Sequence, residues 1–287
     1  VRKSTLFLVL IALLLLCQPV FSQVDELDAV ERSDSELVLK SGAYIRFLEF
    51  NYGWSSPQFK GIDQSFASLG MLELKAGFTS VDSLQFNLIS LDEHFAFISG
   101  LNGDYGSSAG ADEIASEMTR FGVGNRMGYG YGGSGVKFTM YNQDALDWTK
   151  LTPVGYDAMN EDARAIFDRY GTSYRFGQSM EAGVKVNLTP TFALTAGAEG
   201  AVILPRTIFW PWLGSVAIYS GIEGAIEMWS ENLIESSPTA GPVIAFLLRT
   251  GVSWGYYSLL KGDMNWPFDY EEPVTVESFK VGANFAF

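Results

Sequence analysis

The sequence predicts an all-β fold: a transmembrane antiparallel up-and-down β-barrel of about ten strands, with short helices in its external loops. Three observations carry this. Segments of about ten residues or more alternate apolar and polar side chains along most of the chain, as strands with one apolar face do. Of 287 residues, 47% are hydrophobic and 14% aromatic, with 30 glycines. Yet after residue 22 the apolar residues do not gather into a block that reads as a spanning helix. Finally, short and long links alternate between the segments, which sorts them onto two ends of one barrel.

The first 22 residues are set apart from the fold. Arg2 and Lys3 precede an apolar run, Leu6 to Leu16, and Val20-Phe21-Ser22 ends on a small residue. This predicts a cleaved secretory signal peptide over 1–22 and a mature start at Gln23. Cys17 is the only cysteine, with Leu16 where a lipoprotein signal carries a small residue, so lipidation is disfavoured. A mature chain without cysteine has no disulfide, zinc–thiolate site or cysteine nucleophile. Residues 23–36 are acidic and predict a flexible leader. The barrel is expected over 37–287.

The strands follow in order. The first covers about 37–52. Its apolar phase moves from Leu37, Leu39, Ala43, Ile45 and Phe47 to Leu48, Phe50 and Tyr52, which suggests a bulge. The second, 66–79, sets Leu72, Leu74, Ala76 and Phe78 against Glu73, Lys75 and Gly77. The third, 84–98, begins with Leu84, Phe86 and Leu88 opposite Gln85 and Asn87. A loop rich in Gly, Ser and acidic residues spans 99–117, with a possible short helix from Ala111 to Thr119. In the fourth, Phe121, Val123, Met127, Tyr129 and Tyr131 alternate with Gly122, Gly124, Arg126, Gly128 and Gly130. A face of glycines suits a narrow barrel, where it leaves room for long side chains from opposite strands. The fifth opens with Val136, Phe138 and Met140, and Lys137 lies on the other face.

Residues 149–171 break this pattern. Ala163, Ile166, Phe167 and Tyr170 fall at helical spacing, Asp157 or Asn160 could cap, and Gly171 could stop the helix. Next comes a clean hairpin, 174–188 and 192–202, turned by Thr189-Pro190-Thr191. Residues 206–234 support either periodicity. As a strand over 215–229, Val216, Ile218, Ile222, Ile226 and Met228 share a face. As a helix, Ile222, Ile226, Trp229 and Leu233 form one stripe and Glu223, Glu227 and Glu231 another. Glycines and β-branched residues, and the need for an even strand count, favour strand. A ninth strand is expected over 242–259 and a tenth to the end. There Phe279, Val281, Ala283, Phe285 and Phe287 alternate with Ser278, Lys280, Gly282, Asn284 and Ala286.

On this assignment the lumen-facing charges include Glu73, Lys75, Arg120, Arg126, Lys137, Arg175, Glu181, Lys185, Glu199, Glu223, Glu227, Arg249 and Lys280. Both signs occur, so a paired network plugging a narrow barrel is favoured over a charged pore. Trp210, Trp212, Trp229, Trp254 and Trp266 suit aromatic girdles at the bilayer interface. No catalytic or metal site is expected, and no cofactor. The glycines lack a phosphate-loop context, and Asp104, Asp112, Glu113, Asp263, Asp269 and Glu271 match no calcium-loop spacing. A net charge of −14 argues against a nucleic-acid partner.

An apolar strand stopping on Phe287 resembles the closing strand of bacterial outer-membrane β-barrels. The resemblance implies an outer-membrane location, lipid as a partner, and recognition of Phe287, Phe285, Val281 and Phe279 by the barrel-assembly machinery. Asp92-x-His94 superficially resembles the Asp-x-His pair of the ten-stranded outer-membrane proteases. However, it comes early in the chain and lacks the second acidic pair that chemistry requires. The function expected is therefore non-enzymatic: a structural, adhesin-like or ligand-binding protein acting through its external loops on a ligand the sequence does not identify. The alternatives are a narrow porin and a barrel-embedded hydrolase.

Overall fold

The computed structural model describes residues 44–287 apart from 63, 107–109, 111, 112 and 134. The signal peptide, the leader and the expected strand start at residue 37 lie outside the described residues. Eight strands close into one antiparallel barrel, each paired with its sequence neighbour and the last with the first. They are β1 (Ile45–Gln58), β2 (Leu69–Ser83), β3 (Leu88–Asn102), β4 (Ser116–Tyr131), β5 (Lys137–Pro153), β6 (Arg175–Thr189), β7 (Phe192–Ile203) and β8 (Val274–Ala286). Helix α1 (Glu161–Tyr170) lies between β5 and β6; α2 (Phe209–Ser236) and α3 (Gly241–Leu260) lie between β7 and β8.

The expectation of ten strands is corrected to eight. The expected eighth and ninth strands are α2 and α3, and α3 is long and apolar enough to cross a membrane. The physical reason lies in the spacing of the buried residues. On α2 these are Ser215, Tyr219, Ser230 and Ile234; on α3 they include Pro242, Ala245, Arg249, Ser253, Tyr256 and Leu260. Both sets recur at helical intervals and face the barrel. Helix propensity ranked these segments poorly, and packing overrode it. Each helix also satisfies its own backbone hydrogen bonds and needs no flanking strand.

Elsewhere the alternation holds. In β1 the odd-numbered residues face inward throughout, from Phe47 to Pro57, with no bulge. The apparent phase change arises because Phe47 is an apolar residue inside the barrel. In β8, Phe279, Val281 and Phe285 project outward and are exposed, while Ser278, Lys280 and Asn284 point inward. The short links 84–87, 132–136 and 190–191 share one end of the barrel. The links 59–68, 103–115, 154–174 and 204–273 share the other. The α2–α3 turn reaches back to the short-turn end, where the Tyr131 hydroxyl donates to the Thr239 carbonyl (2.6 Å).

Helix α1 forms where its pattern placed it. The Asn160 side chain accepts from the Ala163 amide (2.8 Å), with Glu161 and Asp162 in the first turn and Gly171 at the C-cap. Its buried stripe, Ala163, Ile166, Phe167 and Tyr170, packs with Leu69, Met71, Leu101, Met118, Leu151 and Val276 at the long-loop mouth. The helix is thus a stopper set into the barrel mouth.

Candidate functional site

Below that stopper the lumen holds a network of buried ions. Arg126 on β4 is its centre. Its guanidinium grips Glu49 of β1 with both Nη atoms (2.9 Å each) and donates to Glu93 of β3 (2.8 Å) and Gln143 of β5 (3.2 Å). It also lies 4.3 Å from the centroid of the Tyr141 ring, a favourable cation–π position. Lys75 of β2 donates to Gln143 (2.8 Å) and Glu181 (3.3 Å). Lys280 of β8 meets Glu199 (2.6 Å), Glu181 (2.8 Å) and Glu73 (3.1 Å). Arg120 bridges Glu199 (2.6 Å) and Asp147 (2.9 Å), and Lys185 pairs with Glu93.

Six carboxylates therefore meet five cations, all with side chains no more than 2% exposed. Isolated charges at such positions would be strongly disfavoured, and here each has an opposite partner. Among the ions Phe47, Phe95, Phe97 and Ala145 fill the interior, with Lys75 and Arg126 over the Phe95 ring, Arg120 over Phe97 and Lys185 over Phe47. The glycine face serves the same packing. A Cβ on Gly122 would lie 2.7 Å from the Phe97 ring, and one on Gly124 2.9 Å from Phe95. These rings belong to the adjacent strand β3 rather than to opposite strands, so the room is made for a neighbour.

Of the lumen charges expected from the sequence, Glu73, Lys75, Arg120, Arg126, Glu181, Lys185, Glu199 and Lys280 come together. Five others are placed differently. Lys137 and Arg175 have the inward phase but begin their strands at opposite ends of the barrel. Arg175 donates to the Arg169 carbonyl and to Thr172 (3.4 Å). Glu223, Glu227 and Arg249 leave the lumen altogether, because their segments are helices outside it. Glu49, Glu93 and Asp147 were missed. Glu49 lies at the apparent phase change of β1, and Glu93 sits between the more conspicuous Asp92 and His94. Asp147 continues the inward row of Tyr141 and Gln143, beyond the residues at the start of β5 by which that strand was recognised.

A second polar cluster lies on the outside of the barrel. The outward faces of β5 and β6 carry Asn142, Asp144 and Gln178, residues unsuited to lipid contact. The helical hairpin covers all three. Asn142 donates to Thr250 (3.0 Å), Tyr219 donates to Asp144 (3.0 Å), and Gln178 donates to the Tyr256 hydroxyl (3.4 Å). The Tyr219 and Tyr256 rings stack at 4.5 Å, and their hydroxyls reach Ser253 (3.0 Å) and Ser215 (2.8 Å). Beside them Arg249 joins Glu223 (3.3 Å) and Glu227 (3.7 Å).

Aromatic side chains band the outer surface twice. At the long-loop end Phe121, Trp148, Phe176 and Trp212 form a chain of rings with centroids 5.1–5.7 Å apart. At the short-turn end stand Tyr129, Tyr131, Phe138, Phe192 and Phe285. Trp148 and Phe138 are ten residues apart on β5, or about 33 Å along the strand and ~25 Å across a tilted barrel wall. Of the five tryptophans expected in girdles, Trp210, Trp212, Trp229 and Trp254 are carried by the hairpin and Trp266 by the loop after it.

Asp92 and His94 face outward from β3, nearer the short-turn end. They lie 3.5 Å apart, with the Tyr44 hydroxyl on Asp92 (2.5 Å). They are therefore away from the long-loop rim. Asp263 accepts three backbone N–H groups, from Asn265, Asp269 and Tyr270 (2.8–3.0 Å), so its carboxylate organises its own loop. In the mouth, burial pushes the Tyr170 phenol above the ordinary tyrosine range, and its oxygen accepts from the Val274 amide (3.3 Å).

The fold and the filled lumen define a class: a closed, eight-stranded antiparallel up-and-down barrel. No family model matches the chain, and no curated protein matches it. Among solved structures it is similar to Neisserial surface protein A, at 10% identity over 85% of this chain and 99% of that one, TM-score 0.38. It is also similar to Ail, the attachment invasion locus protein of Yersinia pestis, at 9% identity over 86% and 99%, TM-score 0.33. Ail in complex with the heparin analogue sucrose octasulfate gives 12%, 85% and 99%, TM-score 0.32. At such overlap the barrel assignment rests on the strand pairing itself.

Proposed function

We propose that this chain is an outer-membrane barrel, closed to solute flow, that works through its long-loop end as a structural, adhesin-like or ligand-binding protein without catalysing a reaction. The observation that carries the reading is the filled lumen: a helical stopper above an ion network interleaved with aromatic rings. A conducting barrel needs a continuous polar path. Here the polar groups are spent on one another. Two aromatic bands ~25 Å apart support a bilayer location. The long-loop end carries Arg169 and Arg206 converging on Glu271, the latter at 2.7 Å, beside the α1 stopper. That rim is the surface offered to a partner.

Single-channel recording on the purified, reconstituted protein tests this. Silence at all applied voltages is expected, and a steady conductance would overturn the closed-lumen reading. Fractionation of cells tests the location: heat-modifiable migration in the outer-membrane fraction is expected, against recovery without detergent.

A further inference from the structure

We propose that α2 and α3 form a transmembrane helical hairpin whose outward face contacts lipid hydrocarbon, docked on the barrel wall through its polar seam. The inference rests on the reading of the barrel as a membrane protein and extends it to helices, which such barrels do not require. Four observations converge on it.

The first is length. Helix α3 has 20 residues, about 30 Å, which matches a bilayer hydrocarbon core. Helix α2 touches the long-loop aromatic band through Trp212 and reaches the short-turn end at Ile234, packed with Leu88. Those two residues are about 33 Å apart along the helix. The hairpin therefore runs from one aromatic band to the other, on the same stretch of wall that the strands cross.

The second is the composition of the outward face. Leu213, Ile218, Ile222, Met228 and Trp229 are exposed on α2, as are Val243, Ile244, Leu247, Leu248 and Leu259 on α3. Between Phe209 and Trp229, and on α3, no exposed residue carries a charge beyond the half-exposed Glu227 carboxylate, which turns to Arg249; the exposed Glu231 and Glu235 stand in the last two turns of α2, at the short-turn end. A helix lying on a barrel in water would present a polar outer face. The third is polarity reversed: the charged and hydroxylated residues Tyr219, Glu223, Arg249, Ser253 and Tyr256 point inward, onto the barrel and each other. Ionisable groups within a membrane face protein and pair there.

The fourth comes from the barrel. Asn142 and Asp144 sit between Phe138 and Trp148 on β5, within the band that lipid would otherwise touch. Lipid-facing strand positions disfavour such residues. Asp92 and His94, outward on β3, pair with each other and with Tyr44, whereas Asn142 and Asp144 find their partners on the hairpin, in Thr250 and Tyr219.

The test uses the full chain with Cys17→Ser and single cysteines, each labelled with an environment-sensitive fluorophore. Ile222→Cys and Leu248→Cys report on the hairpin. Leu194→Cys and Val281→Cys report on the exposed barrel wall. Asp157→Cys reports on a water-facing loop. The protein is reconstituted in phosphatidylcholine vesicles containing acyl-chain nitroxide lipids, and iodide serves as the aqueous quencher. The hairpin labels should be quenched by the nitroxide lipids within about twofold of the barrel-wall labels, and protected from iodide relative to position 157. If the wall labels report lipid but the hairpin labels report water, the inference is overturned and the membrane barrel stands. Hairpin labels protected from both quenchers would mean a protein covers that face, which also overturns it. If the wall labels report water too, the membrane reading itself fails.

Discussion

Replacing Arg126 with methionine removes the central cation of the lumen while keeping an unbranched side chain of roughly similar reach. Glu49 would lose a bidentate partner at 2.9 Å and retain Lys75 at 3.7 Å, with Asn51 and Asn284 as hydrogen-bond donors. Glu93 would lose a 2.8 Å contact and keep Lys185. At an effective dielectric constant of about 20, one charge pair at that distance is worth roughly 5–6 kcal/mol before desolvation is counted. Part of this is offset because a buried guanidinium no longer has to be dehydrated. Breaking a buried pair by removing one partner leaves a net loss of about 3–5 kcal/mol. Near 4 kcal/mol the folding equilibrium falls about a thousandfold. Guanidinium unfolding in detergent micelles, followed by circular dichroism and by the shift in electrophoretic migration, reads this as a lowered midpoint. A second variant, Arg126→Met with Glu49→Gln, should lose less than the sum of its parts by about 0.5–3 kcal/mol, since the orphaned charge is gone. A single variant within ~1 kcal/mol of wild type, or strict additivity, would refute the view that the network holds the barrel closed.

Tyr219→Phe removes one hydroxyl from the seam and leaves Asp144 without its helical donor; a loss of about 1–3 kcal/mol is expected in the same unfolding assay, with no change in conductance. Phe167→Ala should loosen the stopper, at about 3–5 kcal/mol if α1 stays seated. If α1 is released instead, protease cleavage in 154–174 will accelerate while the barrel stays intact. Gly183→Ala would place a Cβ 2.5 Å from both the Ala196 carbonyl oxygen and the Tyr141 hydroxyl, so a loss of about 1–3 kcal/mol is expected. The corresponding change at Gly133, where an added Cβ meets nothing within 4 Å, is the matched control.

The strands were legible because each faces two different media, and period-two alternation records that directly. In β2, Leu72 and Leu74 outside against Glu73 and Lys75 inside leave little room for another register. Eight of the network's charges could be named for the same reason. The hairpin was not legible, because α3 carries both periodicities. Ile244, Phe246, Leu248 and Val252 suit a strand, while Ala245, Arg249, Ser253, Tyr256 and Leu260 suit a helix. Only the partner across the interface decides between them. Asn142, Asp144 and Gln178 on the outward faces of β5 and β6 are the sign of the hairpin, since polar residues on an outward strand face find partners in whatever covers them. Phe47 misled in the opposite direction, by being apolar where the lumen was expected to be polar.

The hairpin crosses the wall height twice and returns the chain to the end from which it left. An up-and-down barrel alternates direction at every strand, so whatever is inserted in a loop must preserve that alternation for everything downstream. Two helices do so; one would invert β8, set it parallel to both β7 and β1, and leave the ring with two mismatched edges. The β7–β8 connection is thus a place where a module can be added to or withdrawn from the ring without re-registering a single strand. Withdrawal has a condition of its own: Asn142, Asp144 and Gln178 would have to become apolar at the same time. In this chain the inserted module and the wall that carries it constrain each other's sequence.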